Sequence, residues 1–436
     1  MVSRTASLLS SCLVLAGCSD GSDQLVFDAG GAQSSSGIPG SSGSGTGSGT
    51  GSGGVGGSGG SSGSTGSSGS GAGGSNSGSG SGSNSGSGTS GGGSGGGMSS
   101  GGDGGTGSSG GPVPDASTGK NPDPYSGPFK VLVLSKTLGF HHDSIPACQQ
   151  MLRELGRCTD EASCGVAGAG DQPIAGAKPN SGFTVDVAGA PSGCMELPTQ
   201  MKAQSSDYSN YAAMGCDGST SDLSQFSASN LDTNQFSTSG APQGPYQLIF
   251  FCSPTGTVFS SGGANGQAGM TAIQNFITAG GGYGGLHAAT DFENQNGFPW
   301  YTNELVGAYF TEHNNDGTAG TVNTVPNVNS PVMQGIPNPW NTQDEWYLEN
   351  REISSQPGFQ ILATLSGVPA LTGEAPNDIR PIVWTKQFAS PPSDPTMTLS
   401  GRSFYTCRGH NIARFGEAPF RQLIHQGVLW AAHRLN

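Results

Sequence analysis

Basic side chains are scarce in this chain of 436 residues. Lys and Arg total 16 against 30 Asp and Glu, for a formal net charge of −14. No Lys/Arg stripe is available to displace counterions from a phosphate backbone, which excludes nucleic acid as a partner. Long apolar runs are missing too. Beyond the extreme N-terminus, no segment is apolar over the roughly 20 residues that a membrane-spanning helix requires. Local metal motifs are also absent: there is no C-x-x-C pair, and the seven histidines form neither H-x-x-x-H nor H-E-x-x-H.

What the chain has in excess is glycine. Most of its 78 glycines lie between Asp20 and Gly119, mixed with Ser and a little Thr. Such a tract buries too little to offset its ordering entropy, so residues 18–127 are expected to be a disordered linker. Its root-mean-square reach would be about 50–60 Å. Ahead of it stands an export signal. Arg4 supplies positive charge, Leu8, Leu9 and the run Cys12 to Ala16 an apolar core, and Leu15-Ala16-Gly17-Cys18 a lipobox. Residues 1–17 therefore read as a lipoprotein signal peptide and Cys18 as the lipidation site. The expected location is the cell envelope, anchored by lipid alone in the outer membrane and facing the periplasm or the surface.

Residues 128–436 are long enough for one large domain. The run Phe129 to Ser135 reads as a buried strand, followed by a helix capped by Asp143 and ending at Gly156. Residues 157–245 are loop-rich, with one strand at Phe183 to Val187. Strands are expected again at Tyr246 to Phe251, Tyr283 to Leu286, Gly320 to Val325, Phe359 to Leu365, Pro381 to Trp384 and Arg402 to Thr406. Helices are expected around Met270 to Ile277 and from about Ala418 to His433. Alternating strands and helices predict an α/β fold with a mostly parallel sheet and helices on both faces. Four cysteines, Cys158, Cys164, Cys194 and Cys216, share the loop-rich stretch. In an oxidising compartment they are expected to form two disulfides, with three connectivities open. Cys148, Cys252 and Cys407 complete an odd set of seven, which leaves at least one free thiol.

Gly280-Gly281-Gly282-Tyr283-Gly284-Gly285 satisfies G-x-G-x-x-G, but it follows a helix and enters a strand. A dinucleotide loop needs the opposite order. The more telling residue is His287, set among small neighbours just past a strand, as on the elbow where hydrolytic α/β enzymes mount a nucleophile. His142 and His410 also follow strands, His313 follows Phe310, and Glu345 precedes Trp346-Tyr347. Strand ends of one parallel sheet open onto a common crevice, so these side chains can converge. His425 and His433 read as bystanders in the last helix.

Several segments in this order resemble the ThuA-like family, named for trehalose utilisation, within the class I glutamine amidotransferase-like superfamily. They are Val131 to Thr137, Phe140 to Ile145, Gly280 to Ala289, Pro299-Trp300-Tyr301, Leu305 to Phe310, Asp344 to Tyr347, and Gly401 to Thr406 with Gly409-His410. The resemblance implies a flavodoxin-like sheet. The chain departs from the family in its enlarged 157–245 segment and at His141, where arginine is usual. In the superfamily a cysteine occupies the elbow and a histidine follows a late strand. Here His287 holds the cysteine's place and His410 lies near the histidine's. Thioester chemistry on glutamine is therefore not available, and Cys407, within or at the end of its strand, is a poor substitute.

The resemblance also implies a carbohydrate or keto-sugar substrate. His142, His287, His410 and Glu345 suit proton transfer, as in an isomerase, lyase or hydrolase. His313, Asp291, Trp300 and Tyr347 are the candidate substrate contacts. Trp300, Tyr301, Trp346 and Tyr347 could stack on sugar rings or simply fill the core. A divalent metal such as zinc, if any is held, would sit on His142, His287 and His410. The rival expectation is a non-catalytic module that binds glycan or a partner.

Overall fold

Five of the six side chains of Phe129–Leu134 are buried, as a strand covered on both faces requires. This strand opens a computed structural model that describes residues 125–436. Residues 168–170, 195, 200–201, 221, 237–244, 294–295, 351–352, 375–378 and 390–398 are excepted. The expected signal peptide, Cys18 and nearly all of the Gly/Ser linker lie outside the described residues.

The first part alternates. It runs β1 (Phe129–Leu134), α1 (Ile145–Arg157), α2 (Glu161–Ala167), β2 (Phe183–Val187), α3 (Ser205–Ala213), β3 (Leu248–Cys252), α4 (Gly263–Thr278) and β4 (Gly282–Leu286). A strand-rich part follows: β5 (Phe310–His313), β6 (Thr318–Thr324), β7 (Trp340–Asp344), β8 (Tyr347–Glu349), β9 (Phe359–Ser366), β10 (Arg380–Gln387) and β11 (Arg402–Thr406). Helix α5 (Ala418–Ala431) closes the chain. Nine strands form one sheet in the order β2-β1-β3-β4-β11-β10-β9-β6-β7, and β5 pairs with β8 separately. From β2 to β11 every pairing is parallel. From β11 to β7 every pairing is antiparallel.

The glycines of the false nucleotide motif serve helix termination and packing. Gly280, at φ +121°, ends α4 in a conformation that side chains resist. A Cβ on Gly284 would lie 2.4 Å from the Phe250 ring. Strand β4 is thus small so that its neighbours can close on it. Helix α1 begins from Ser144 rather than Asp143, and the Ser144 hydroxyl donates to Gly409 O (2.9 Å) instead of capping the helix. The start of α1 is thereby fastened to the turn after β11.

The antiparallel half is bent. β7 lies four strands from β11, roughly 19 Å away if the sheet were flat. Yet Asp344 at the end of β7 accepts a hydrogen bond from Gly409 N (3.1 Å). The outer strands must therefore curl back over the end of β11. Register shifts between β9 and β10, around Pro381 and Val383, are the kind of irregularity that bends a sheet. Arg408 fills the fold of the curl, fully buried. Its guanidinium lies 4.1 Å from the Trp340 ring centre, its Nε 3.4 Å from Asp344, and its Nη2 donates to Thr342 Oγ1 (2.8 Å).

Two disulfides join the four clustered cysteines, as Cys158–Cys164 and Cys194–Cys216. A third, Cys148–Cys252, ties α1 to the end of β3. These two cysteines stand 104 positions apart in the sequence. Among the described residues Cys407 is the free thiol, and it is buried.

Candidate active site

At Leu286 strand β4 ends and the chain turns sharply. His287 takes up φ +46°, a left-handed conformation that costs a non-glycine residue and persists only where its surroundings enforce it. Here the Tyr405 hydroxyl donates to His287 O (2.7 Å), and Thr290 N donates to the same oxygen (3.3 Å). The imidazole is fully buried. Its Nδ1 faces Cys407 O at 3.0 Å. A carbonyl only accepts, so Nδ1 carries a proton, and in the neutral ring Nε2 is left with its lone pair. That Nε2 lies 3.2 Å from His410 Nδ1 and 3.4 Å from Glu345 Oε2.

The other members arrive from both halves of the sheet. Asp344, fully buried, accepts from the main-chain N–H groups of Glu345 (3.0 Å), Gly409 (3.1 Å) and His410 (3.2 Å). One carboxylate thus fixes the backbones that carry Glu345 and His410. Glu345 Oε2 lies 3.0 Å from His410 Nδ1, and Oε1 lies 3.1 Å from His313 Nδ1. Burial alone would raise the Glu345 pKa. The hydrogen bonds and charge offered by His287 and His410 outweigh burial and hold the carboxyl well below its usual range. Burial opposes the His410 cation, but Glu345 prevails and raises its pKa. His142 comes from the loop after β1. Its ring centre is 4.8 Å from that of His287 and 5.2 Å from that of His410. Burial, then the two neighbouring imidazoles, push its pKa down to about 2.

One ligand atom from each of His142, His287, His410 and Glu345 can be chosen so that all lie within 4.8 Å of one another. Three imidazoles and one carboxylate are the donor set of a zinc-class ion. Two features of the arrangement fit a cation. His287 Nε2 and His410 Nδ1 both crowd Glu345 Oε2, at 3.4 and 3.0 Å, as donor atoms around one cation do. His142 Nδ1, buried, has no hydrogen-bond partner. The contact of His287 Nδ1 with a carbonyl is also the outer support that orients a metal-binding histidine.

The remaining expected residues fall into different places. His313 stands at the end of β5, in the two-stranded sheet rather than the parallel one, and contacts Glu345 from the rim. Asp291 follows the elbow, and burial raises its pKa to about 6 against the opposing charges of His287 and His313. Trp300, partly buried, packs on Phe298 and Phe388, with ring centres 5.9 and 6.0 Å away. Tyr347 is buried 4.2 Å beneath the His287 ring, so it supports the site without presenting a face to a ligand. Tyr301 and Trp346 are fully buried. The Cys407 thiol is buried as well, and burial followed by Glu349 and Asp344 drives its pKa far up, which removes it as a nucleophile. Sequence reasoning missed Glu349. This partly buried acid accepts from Thr290 Oγ1 (3.1 Å), and burial pushes its pKa to about 8. Its only sequence signal was its place two residues after Tyr347.

Residues 130–431 match the ThuA family, described as trehalose utilisation. The chain belongs to the ThuA family. The solved structures it resembles include a putative ThuA-like protein of Bacteroides uniformis ATCC 8492, at 16% identity and a TM-score of 0.42, covering 71% of this chain and 93% of that one. A putative ThuA-like protein of Parabacteroides merdae ATCC 43184 is 20% identical, with a TM-score of 0.39 and coverage of 70% and 90%. Agd3, titled a novel carbohydrate deacetylase, is 11% identical with a TM-score of 0.35, covering 70% of this chain and 32% of that one. At these identities and scores the likenesses say nothing of the activity of this ThuA domain. No curated protein matches the chain.

Proposed function

We propose that this ThuA protein is a carbohydrate-processing enzyme of the cell envelope, with a divalent metal of the zinc class held by His142, His287, His410 and Glu345. The observation that carries the reading is the convergence of these four side chains, one ligand atom of each lying within 4.8 Å of the others, with His287 Nδ1 held against Cys407 O and Nε2 turned toward Glu345. Bound there, such an ion would supply Lewis acidity toward a sugar oxygen or a water. The sugar class is inferred from the family's description.

The chain's own residues supply the remainder. Asp291, with a pKa raised to about 6, is poised to take up or release a proton near neutral pH. His313, half exposed and bonded to Glu345, can orient a substrate hydroxyl at the rim. Asp344 and Tyr405 keep the site in register by holding main-chain atoms. A lipid on Cys18 and the Gly/Ser-rich tract behind it would hold the domain off a membrane surface.

Elemental analysis of the purified chain, followed by turnover assays on trehalose, other disaccharides and keto-sugars, tests the reading. Turnover lost on chelation and in His287→Ala is the expected result. Sugar binding without turnover, indifferent to His287→Ala, would make the domain a display module instead. Lipid labelling that survives Cys18→Ala would remove the anchor from the proposal.

A further inference from the structure

Four large apolar side chains are exposed among the described residues: Leu138, Phe140, Met214 and Ile379. Two of them lie in the short loop between β1 and His142. Phe140 is 64% exposed. Its ring centre is nevertheless 4.8 Å from that of His142, edge to face, and 6.4 Å from that of His410, with the planes 18° apart. Phe140 thus stands beside two of the four residues of the histidine–glutamate centre.

The loop is held in place. Leu138 N donates to Thr255 O (2.9 Å), Gly139 N donates to Thr255 Oγ1 (3.2 Å), and that hydroxyl donates to Phe140 O (2.9 Å). Gly256 lets the strand-end turn press on the loop, since a Cβ there would sit 3.1 Å from Leu138 Cβ. A backbone fixed this firmly keeps Phe140 facing water at the mouth of a polar centre. Apolar surface held open beside convergent polar groups marks the side from which a ligand enters.

We infer that Phe140 is the platform on which a sugar ring of the substrate lies while one of its oxygens reaches the centre; this rests on the carbohydrate reading above. A pyranose carries C–H groups on its faces and hydroxyls on its edge. Its weakly positive C–H hydrogens suit the negative face of a phenyl ring, while its edge remains free to meet His142, His410 and Glu345. Of the other aromatic candidates, Tyr301, Trp346 and Tyr347 are buried, and Trp300 is stacked on Phe388 with ring centres 6.0 Å apart.

The test uses the full chain with trehalose and methyl α-glucoside as probes. Saturation-transfer NMR reads which sugar protons touch the protein, and competition with a chromophoric chelator reads zinc affinity. In the native protein the C–H protons of one ring face should saturate most strongly. Phe140→Ala should weaken sugar binding about tenfold, Phe140→Trp should preserve it, and zinc affinity should be unchanged in both. Equal sugar binding by the native protein and Phe140→Ala overturns the platform and leaves the carbohydrate reading standing. Sugar binding by neither overturns both. A loss of zinc affinity in Phe140→Ala also overturns the platform, because the residue would then act through His142.

Discussion

The two halves of the sheet contribute to the same centre by different physical routes. In the parallel half, β1, β4 and β11 run in one direction, with β3 between β1 and β4, and each is followed by a histidine at the common edge: His142, His287 and His410. That convergence follows from strand direction alone. In the antiparallel half, Glu345 reaches the centre only because the outer strands curl, and the curl depends on one buried ion pair and a bulged strand. Topology suffices to gather the imidazoles; tertiary packing is needed to bring the carboxylate.

If both routes are needed, loss of a ligand from either half should empty the site. His287→Ala should reduce zinc affinity more than about 100-fold, beyond the usual cost of losing an outer-shell partner. Glu345→Ala should approach it. Chelator competition measures both, and a Glu345→Ala protein that holds zinc like the native one would confine the centre to the parallel half.

The curl itself can be broken from within. Arg408→Met leaves Asp344 buried without its cation, a loss of about 3–5 kcal/mol for a broken buried pair. Denaturant unfolding should show that loss, and His410 should lose its fixed position with it. A variant as stable as the native protein would mean that Arg408 merely fills space.

The disulfides sharpen the contrast between long-range and local bracing. Cys148–Cys252 closes 104 positions and Cys158–Cys164 closes 6. By chain entropy the first should contribute about 4.7 kcal/mol and the second about 2 kcal/mol. Paired Cys→Ala variants, compared by thermal unfolding, check the order; equal losses would show that strain or residual structure governs instead.

The smallest effect concerns pH. Glu349 keeps its proton up to about pH 8 in the folded chain, whereas an unfolded glutamate releases it near 4.3. Between these values the unfolded state binds fewer protons, so this residue makes stability fall as pH rises through that window. Glu349→Gln should flatten that part of the profile. An unchanged slope would mean that Glu349 is ionised in the fold.

The parallel half was legible because its signals are local. Apolar runs such as Val131 to Leu134 and Leu248 to Phe251 read as covered strands, and a histidine past a strand end has a predictable edge to occupy. The small residues around His287 marked an elbow, although its backbone conformation was not readable. The rest depended on contacts between distant segments. Nothing near Asp344 announces that its carboxylate holds the N–H groups of Gly409 and His410. Nothing in Trp300 or Tyr347 separates a ring that faces a ligand from one that supports a wall. Phe140, an ordinary aromatic in sequence, became informative only once its exposure was known.

The hydrogen bond from Ser144 to Gly409 spans 265 positions, and the centre draws on both ends of that span. As synthesis proceeds from the N-terminus, His142 and Cys148 emerge early and must wait for the last turn before α5. No partial chain that stops short of His410 holds all four residues of the centre. Completion of the centre is thus a late event in the life of the polypeptide.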